Sequence, residues 1–372
     1  MLFGIDRLQR ADFAPLQGQR VGLFTNLSAV DGRLTRTYDI FRVAPAVDLR
    51  AFFSPEHGLA GSVADGVKVA SGQDAITGLP VHSLYGEALH PTQQMLAEVE
   101  VIVCDIQDIG VRYYTYLWTL THILEACGEH GVRVMILDRP NPLGKTLSGG
   151  GLDPALASIV GRYDIPVQHG MTLGELAQMI NSRWNPTPAE INVIPCEGWQ
   201  RDLAWRDLKR PFIPPSPNMP HFSTVQHYPG ACLVEGTELS EGRGTPLPFE
   251  VVGAPFIDGY DLAQQITIPG AIARPIEFTP SASKFAHERC EGIQLHITDA
   301  TRFAPLPAWL QIIAYIRHRY PEAFAWKAAH FDRLIGHVAI REAIDTRQSL
   351  PHWDAYLADF RQARQPYLIY GD

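Results

Sequence analysis

Four short apolar runs in the first 150 residues each stop in a polar loop, which narrows the folds open to this 372-residue chain. They are RVGLFTNLSA (20–29), VDLRAFFSPEHG (47–58), VEVIVCDIQDIG (99–110) and VRVMILDRPNP (132–142). Continuous apolar runs separated by helix-like stretches predict a parallel sheet covered on both faces. Residues 113–131 have helical periodicity and stop at Gly131, a residue suited to a helix C-terminus. The expected class is therefore α/β, with a Rossmann-like parallel-sheet domain over 1–155. The texture changes around 150–165, and 156–372 is expected to form a smaller α+β C-terminal domain. It opens with HGMTLGELAQMINSRW, where Thr172 and Glu175 have capping-box spacing. Residues 210–260 are rich in Pro, Gly and charge and read as irregular. A strand is expected at 292–298 and an amphipathic helix at 307–321. A chain of this length fits two domains.

Composition removes several classes of function. A net charge of −9 disfavours nucleic acid and anionic membrane surfaces as partners. No apolar run of about 18 residues occurs, so no membrane insertion is expected. The start, MLFGIDRLQRADF, shows no signal peptide, which makes the chain as given cytoplasmic, or periplasmic or secreted if a signal was trimmed. The five cysteines have no C-x-x-C spacing, and Cys104 and Cys127 read as core. The 14 histidines show no H-E-x-x-H, so no metal is expected. No G-x-G-x-x-G, complete P-loop or G-x-S-x-G elbow is present, so neither a cofactor nor a serine nucleophile is expected. The sequence is silent on oligomeric state.

Parallel α/β sheets bind ligands beyond the carboxyl ends of their strands. The polar loops at Thr25-Asn26, Ser54 to His57, Asp105 to Asp108 and Asp138 to Asn141 should meet on that edge. Glu56 is a candidate general acid or base there, or else a capping or ion-paired carboxylate. His57 could bind substrate or orient Glu56; the structural alternative is a bond to its own turn. DIQDIGVRYYTY (105–116) offers Asp105, Asp108, Arg112, Tyr113, Tyr114 and Tyr116. Arg112 suits bidentate capture of a carboxylate, and the tyrosines suit sugar stacking or hydrogen bonding, with core packing the better reading for at least one. In EGTELSEGRGTPLPFE (235–250), Glu241 and Arg243 lie in an irregular charged loop, and SPNMP holds Ser216 and Asn218 between prolines. Carboxylates, tyrosines, arginine and amides without a cofactor motif suit glycoside hydrolysis.

GID, VGLFTN, FSPEHGL, DIQDIGVRYYTY, ILDRPNPLG, HGMTLGELA, PPSPNMP, YPG and EGTELSEGRGTPLPFE follow in this order. In this the chain resembles a bacterial family once known only as a domain of unknown function, the exo-β-N-acetylmuramidases of glycoside hydrolase family 171. The resemblance implies release of N-acetylmuramic acid (MurNAc) from the non-reducing end of peptidoglycan fragments such as MurNAc-GlcNAc. It also implies a Rossmann-like domain joined to a second domain, with the active site in the cleft between them. The family's catalytic glutamate lies in the PEHG motif, here Glu56. A 3-O-lactyl carboxylate on the substrate would need a cation, Arg243 or Arg112. The 2-acetamido group could be bound by Asn218 or a tyrosine, and Asn26 and His57 are further candidate contacts. Glu56 is expected to protonate the glycosidic oxygen. Asp108, Asp105 or Glu241 could be the second catalytic group, or the acetamido oxygen could act instead. The rival readings are a non-catalytic peptidoglycan-binding protein, an esterase or amidase, and a nucleotide-dependent enzyme.

Overall fold

The structure, a computed structural model, describes residues 1–64 and 66–371. Its first compact unit gathers Met1–Thr146, His169–Pro220 and Arg361–Asp372. The unit's sheet begins with β1 (Arg20–Thr25), β2 (Asp48–Ser54), β3 (Gly72–Gln73), β4 (Pro80–Ser83), β5 (Val101–Asp105) and β6 (Arg133–Leu137). Two two-residue strands, β7 (Leu147–Ser148) and β8 (Gln168–His169), come next in sequence, and β9 (Ile191–Ile194) completes the sheet in the order β3-β4-β2-β1-β5-β6-β9. Every neighbouring pair is parallel except β3 with β4. This is the Rossmann-like arrangement that the apolar runs imply.

The apolar runs form strands because both of their faces are covered. Leu23, Phe24, Phe52, Phe53, Ile102 and Val103 are all at 0% exposure. Gly22 in β1 is needed for space: a Cβ there would lie 2.7 Å from the Phe53 ring. The helix Thr115–His130 ends at Gly131, in the left-handed conformation (φ +67°). Thr172 and Glu175 form the capping box of the helix Leu173–Arg183. Strands β4 and β9 were not legible as sheet members. PVHS and INVI are four residues long and partly exposed, so neither makes a continuous apolar run.

The second compact unit gathers Leu147–Gln168 and His221–Phe360. The units are thus interleaved along the chain, where the sequence reading drew one boundary near 155. This unit holds the antiparallel sheet β10 (Val251–Ala254), β12 (Cys290–Ile297) and β11 (Ala271–Phe278), in that spatial order. Beside it lies the helix Pro305–Arg319, whose Trp309, Ile312, Ile313 and Ile316 are fully buried. The stretch 210–260, read as irregular, contains the helix Phe222–Ala231 despite Pro229 and Gly230. Gly230 serves close packing here: a Cβ would come within 2.2 Å of the Pro305 carbonyl oxygen.

One buried ion pair ties the carboxyl edge of the first unit's sheet. Arg139, two residues past β6, donates to both oxygens of Asp105 at the end of β5, at 2.5 and 3.0 Å, and to the Val30 carbonyl at 3.0 Å. The Thr37 hydroxyl donates to the same carboxylate. Both side chains are at most 3% exposed. Removing one partner strands the other as a buried charge, which costs about 3–5 kcal/mol. Arg139→Met should therefore lower the stability of this unit by that amount, read as a lower urea midpoint at constant slope.

Candidate active site

The site begins where β2 runs out. His57 and Gly58 both take positive φ (+71° and +75°), and two consecutive left-handed residues turn the chain back sharply. The Nδ1 of His57 lies 2.7 Å from the Val63 carbonyl oxygen. Since a carbonyl only accepts, Nδ1 carries the proton and the ring closes its own turn, which is the structural alternative raised above. The turn brings Gly66 N–H to 3.1 Å from Glu56 Oε1, where it donates. The Thr115 hydroxyl donates to Glu56 Oε2 at 2.8 Å. Thr115 is the first residue of the helix Thr115–His130, so Glu56 sits at the N-terminal turn of that helix. Glu56 is 6% exposed, with both oxygens held by uncharged donors.

Segment 105–116 packs beside it and sorts its groups by partner. Asp105 is consumed by Arg139 and Thr37 at 0% exposure, so it forms part of the frame rather than a reactive group. Asp108 lies in the turn that follows, and its Oδ2 accepts Gly110 N–H at 2.7 Å. Gly110 has φ +84°, and a Cβ there would lie 2.3 Å from Asn141 Oδ1. Burial pushes the Asp108 carboxyl up to about 7, against backbone hydrogen bonds from Gly110 and Ile109 that lower it. Arg112, the candidate for bidentate capture of a carboxylate, is wholly buried (0%). Its carbonyl accepts Trp118 Nε1–H at 2.7 Å, which anchors the chain as it enters the helix.

The three tyrosines are buried too. The Tyr116 hydroxyl donates to the Pro215 carbonyl at 2.6 Å and accepts from Asn26 Nδ2 at 3.0 Å. Asn26 also donates to Pro215 O at 3.1 Å, and its Oδ1 accepts from both the backbone N–H and the hydroxyl of Ser28. With its amide engaged on both sides, Asn26 braces the 215–218 segment, and Tyr116 packs against it. The rings of Tyr114 and Tyr116 meet edge-on at 4.7 Å, and Tyr114 bonds Ser216. Tyr113 is 2% exposed. Asn218, on the braced 215–218 segment, is half-buried, and its side chain makes no hydrogen bond among the described residues. Sequence reasoning passed over Thr115 and Gly66. It also passed over His169, whose only signal was its place at the head of HGMTLGELA.

Glu241 and Arg243 belong to the second compact unit. Arg243 donates to Glu235 Oε1 through Nε (2.9 Å) and Nη2 (2.6 Å), and its guanidinium lies 5.0 Å from the Phe249 ring centroid. Lys284 Nζ is 2.8 Å from Glu241 Oε2 and donates to the Val234 and Leu239 carbonyls. Burial would raise Glu235, but Arg243 and His330 outweigh it and hold the carboxyl down at about 2. Glu241 is thus flanked by Lys284 and, at 3.5 Å, by Arg243, and the Arg243 fork is occupied by Glu235. Together these four side chains form a balanced ionic network. Among the described residues, no group of three or more His, Cys, Asp or Glu could hold a metal ion, and no helix is long and apolar enough to cross a membrane.

Comparison with known proteins adds to this geometry. Residues 21–223 match the N-terminal domain of the exo-beta-N-acetylmuramidase NamZ, and residues 226–370 match its C-terminal domain. The chain belongs to the exo-β-N-acetylmuramidase family. It is 41% identical, over 99% of its length and 91% of the relative's, to the peptidoglycan beta-N-acetylmuramidase NamZ of Bacillus subtilis (strain 168). Two crystal structures of DUF1343 family proteins from Bacteroides fragilis NCTC 9343 are similar over 100% of this chain and 99% of each of theirs. Their TM-scores are 0.91 and 0.80, at 33% and 31% identity.

The raised Asp108 carboxyl has a consequence for this family member's stability. A carboxyl that keeps its proton longer when folded than when unfolded stabilises the fold fully below its unfolded value, near 4. That contribution is lost as pH rises from about 4 toward about 7. Asp108→Asn, a neutral isostere, should remove this decline. Its urea midpoint should fall less than that of the wild type between pH 4.5 and pH 8, measured side by side.

Proposed function

We propose that this chain is an exo-acting glycosidase that releases N-acetylmuramic acid from the non-reducing end of peptidoglycan fragments such as MurNAc-GlcNAc, with Glu56 as its catalytic carboxyl. The observation that carries this reading is the 41% identity to a peptidoglycan beta-N-acetylmuramidase over 99% of the chain. The position of Glu56 supports it, at the end of a parallel strand where α/β folds gather chemistry. No observation favours a non-catalytic binding protein.

Glu56 gives a proton to the glycosidic oxygen as the bond to the anomeric carbon breaks, and the leaving sugar keeps that proton. Thr115 and Gly66 fix the carboxyl: a hydroxyl can accept as well as donate, so Oε2 can hold a proton toward Thr115 Oγ1 while Oε1 continues to accept from Gly66. Asn218 offers both an amide donor and an acceptor to the substrate's acetamido group. The test is MurNAc release from MurNAc-GlcNAc by wild type and by Glu56→Gln, with folding followed by circular dichroism. Wild type should release MurNAc, and the folded variant should lose about 10²–10⁴-fold in kcat.

A further inference from the structure

We propose that Asp108 is the second proton-handling carboxyl of the hydrolysis and that the buried His169 is its positioning residue. The proposal rests on the glycosidase reading above. Sequence left Asp105, Asp108 and Glu241 open for this role, and their partners separate them. Asp105 is neutralised by Arg139, and Glu241 lies between Lys284 and Arg243. Asp108 has no cation within ion-pair distance among the described residues except through a histidine, and its buried Oδ1 has no hydrogen-bond partner there. A buried acceptor without a protein donor suits the O–H of a nucleophilic water.

His169 is the group facing it. The ring is at 0% exposure, and its Nδ1 accepts Met171 N–H at 3.3 Å. The neutral ring therefore carries its proton on Nε2, 3.7 Å from Asp108 Oδ2 and without a hydrogen-bond partner among the described residues. Burial, and then the positive charge of Arg364, hold His169 down at about 3, so it stays neutral across the working range. Arg364 itself donates to the His169 and Gly170 carbonyls. Tyr114 is a further titratable group coupled to Asp108, and burial keeps its hydroxyl protonated. Among the described residues, Asp108 thus has beside it a neutral N–H donor at closing distance, a neutral phenol and two backbone N–H groups. As Asp108 ionises, His169 Nε2–H can close on Oδ2, which stabilises the basic form and leaves Oδ1 to accept the proton of a water.

The step balances as follows. Water forms the new bond to the anomeric carbon, its proton passes to Asp108 Oδ1, and the leaving sugar takes the Glu56 proton. Both carboxyls then reset by exchange with solvent. Direct attack by water inverts the anomeric centre.

The test follows kcat/KM against pH with the full chain and MurNAc-GlcNAc, for wild type, Asp108→Asn, His169→Phe and His169→Gln. Asp108 must be ionised to take a proton, so the wild-type rate should fall as pH drops through about 7. Asp108→Asn should lose about 10²–10⁴-fold in kcat. His169→Phe should move the acidic limb up by about one pH unit, and His169→Gln, which keeps a donor, should return it toward wild type. Proton nuclear magnetic resonance of the first-formed product should show inversion. A limb that stays in place while His169→Phe loses rate at every pH would reduce His169 to packing. Retained activity in Asp108→Asn, or a retained anomer, would overturn the base role. Failure of the glycosidase reading is seen separately, as no MurNAc release by wild type. In that event a carbon-13 titration of Asp-labelled protein, with Asp108 assigned from Asp108→Asn, still reads the pair, and an unmoved Asp108 titration in His169→Phe sinks it.

Discussion

The buried contact between Asp105 and Arg139 is the constraint on which the carboxyl edge of the first unit's sheet depends. It joins the ends of two adjacent parallel strands, and through the Val30 carbonyl and Thr37 it also reaches the segment after β1. Strand ends are where a parallel sheet stops supplying backbone partners, so polar loops there need other restraints. A bidentate arginine–carboxylate pair provides one with fixed geometry. With the ends of β5 and β6 fixed, the 105–116 segment leaves the sheet in a set direction, and Thr115 arrives at Glu56.

That edge holds three carboxylates in three different states of satisfaction. Asp105 is fully paired with a cation, Glu56 has an uncharged donor on each oxygen, and Asp108 has one oxygen engaged and one without a partner. A carboxylate paired with a buried cation serves as a brace, while burial raises the Asp108 carboxyl to about 7. The division of labour between frame and chemistry therefore follows from what each oxygen touches. Asn26 and Tyr116 extend the frame by pinning the 215–218 segment, which carries Ser216 and Asn218.

The second unit solves a related problem with charge alone. Glu235, Glu241, Arg243 and Lys284 lie mostly out of water, and each is compensated by a neighbour of opposite sign. Buried charges survive only in such balanced sets.

The sequence by itself determined the fold class and the strand ends at which the polar loops lie. Strands buried on both faces must be apolar throughout, so β1, β2, β5 and β6 announce themselves, and so do Gly131 and the Thr172–Glu175 cap that bound their helices. Glu56 stood out only as a carboxylate in the loop at the end of β2, and a catalytic role for it came from the family resemblance, not from local pattern. The short strands β4 and β9 stayed hidden because their burial comes from neighbours, not from their own residues. Local pattern was equally unable to rank Asp105, Asp108 and Glu241, or to tell that Arg112 is interior, that Asn26 is a brace and that His169 faces Asp108. Those facts depend on partners 34 to 90 residues away in sequence, as with Arg139 for Asp105 and Tyr116 for Asn26. The protonation behaviour of a side chain is set by such partners and by its burial, and only the folded chain brings them together.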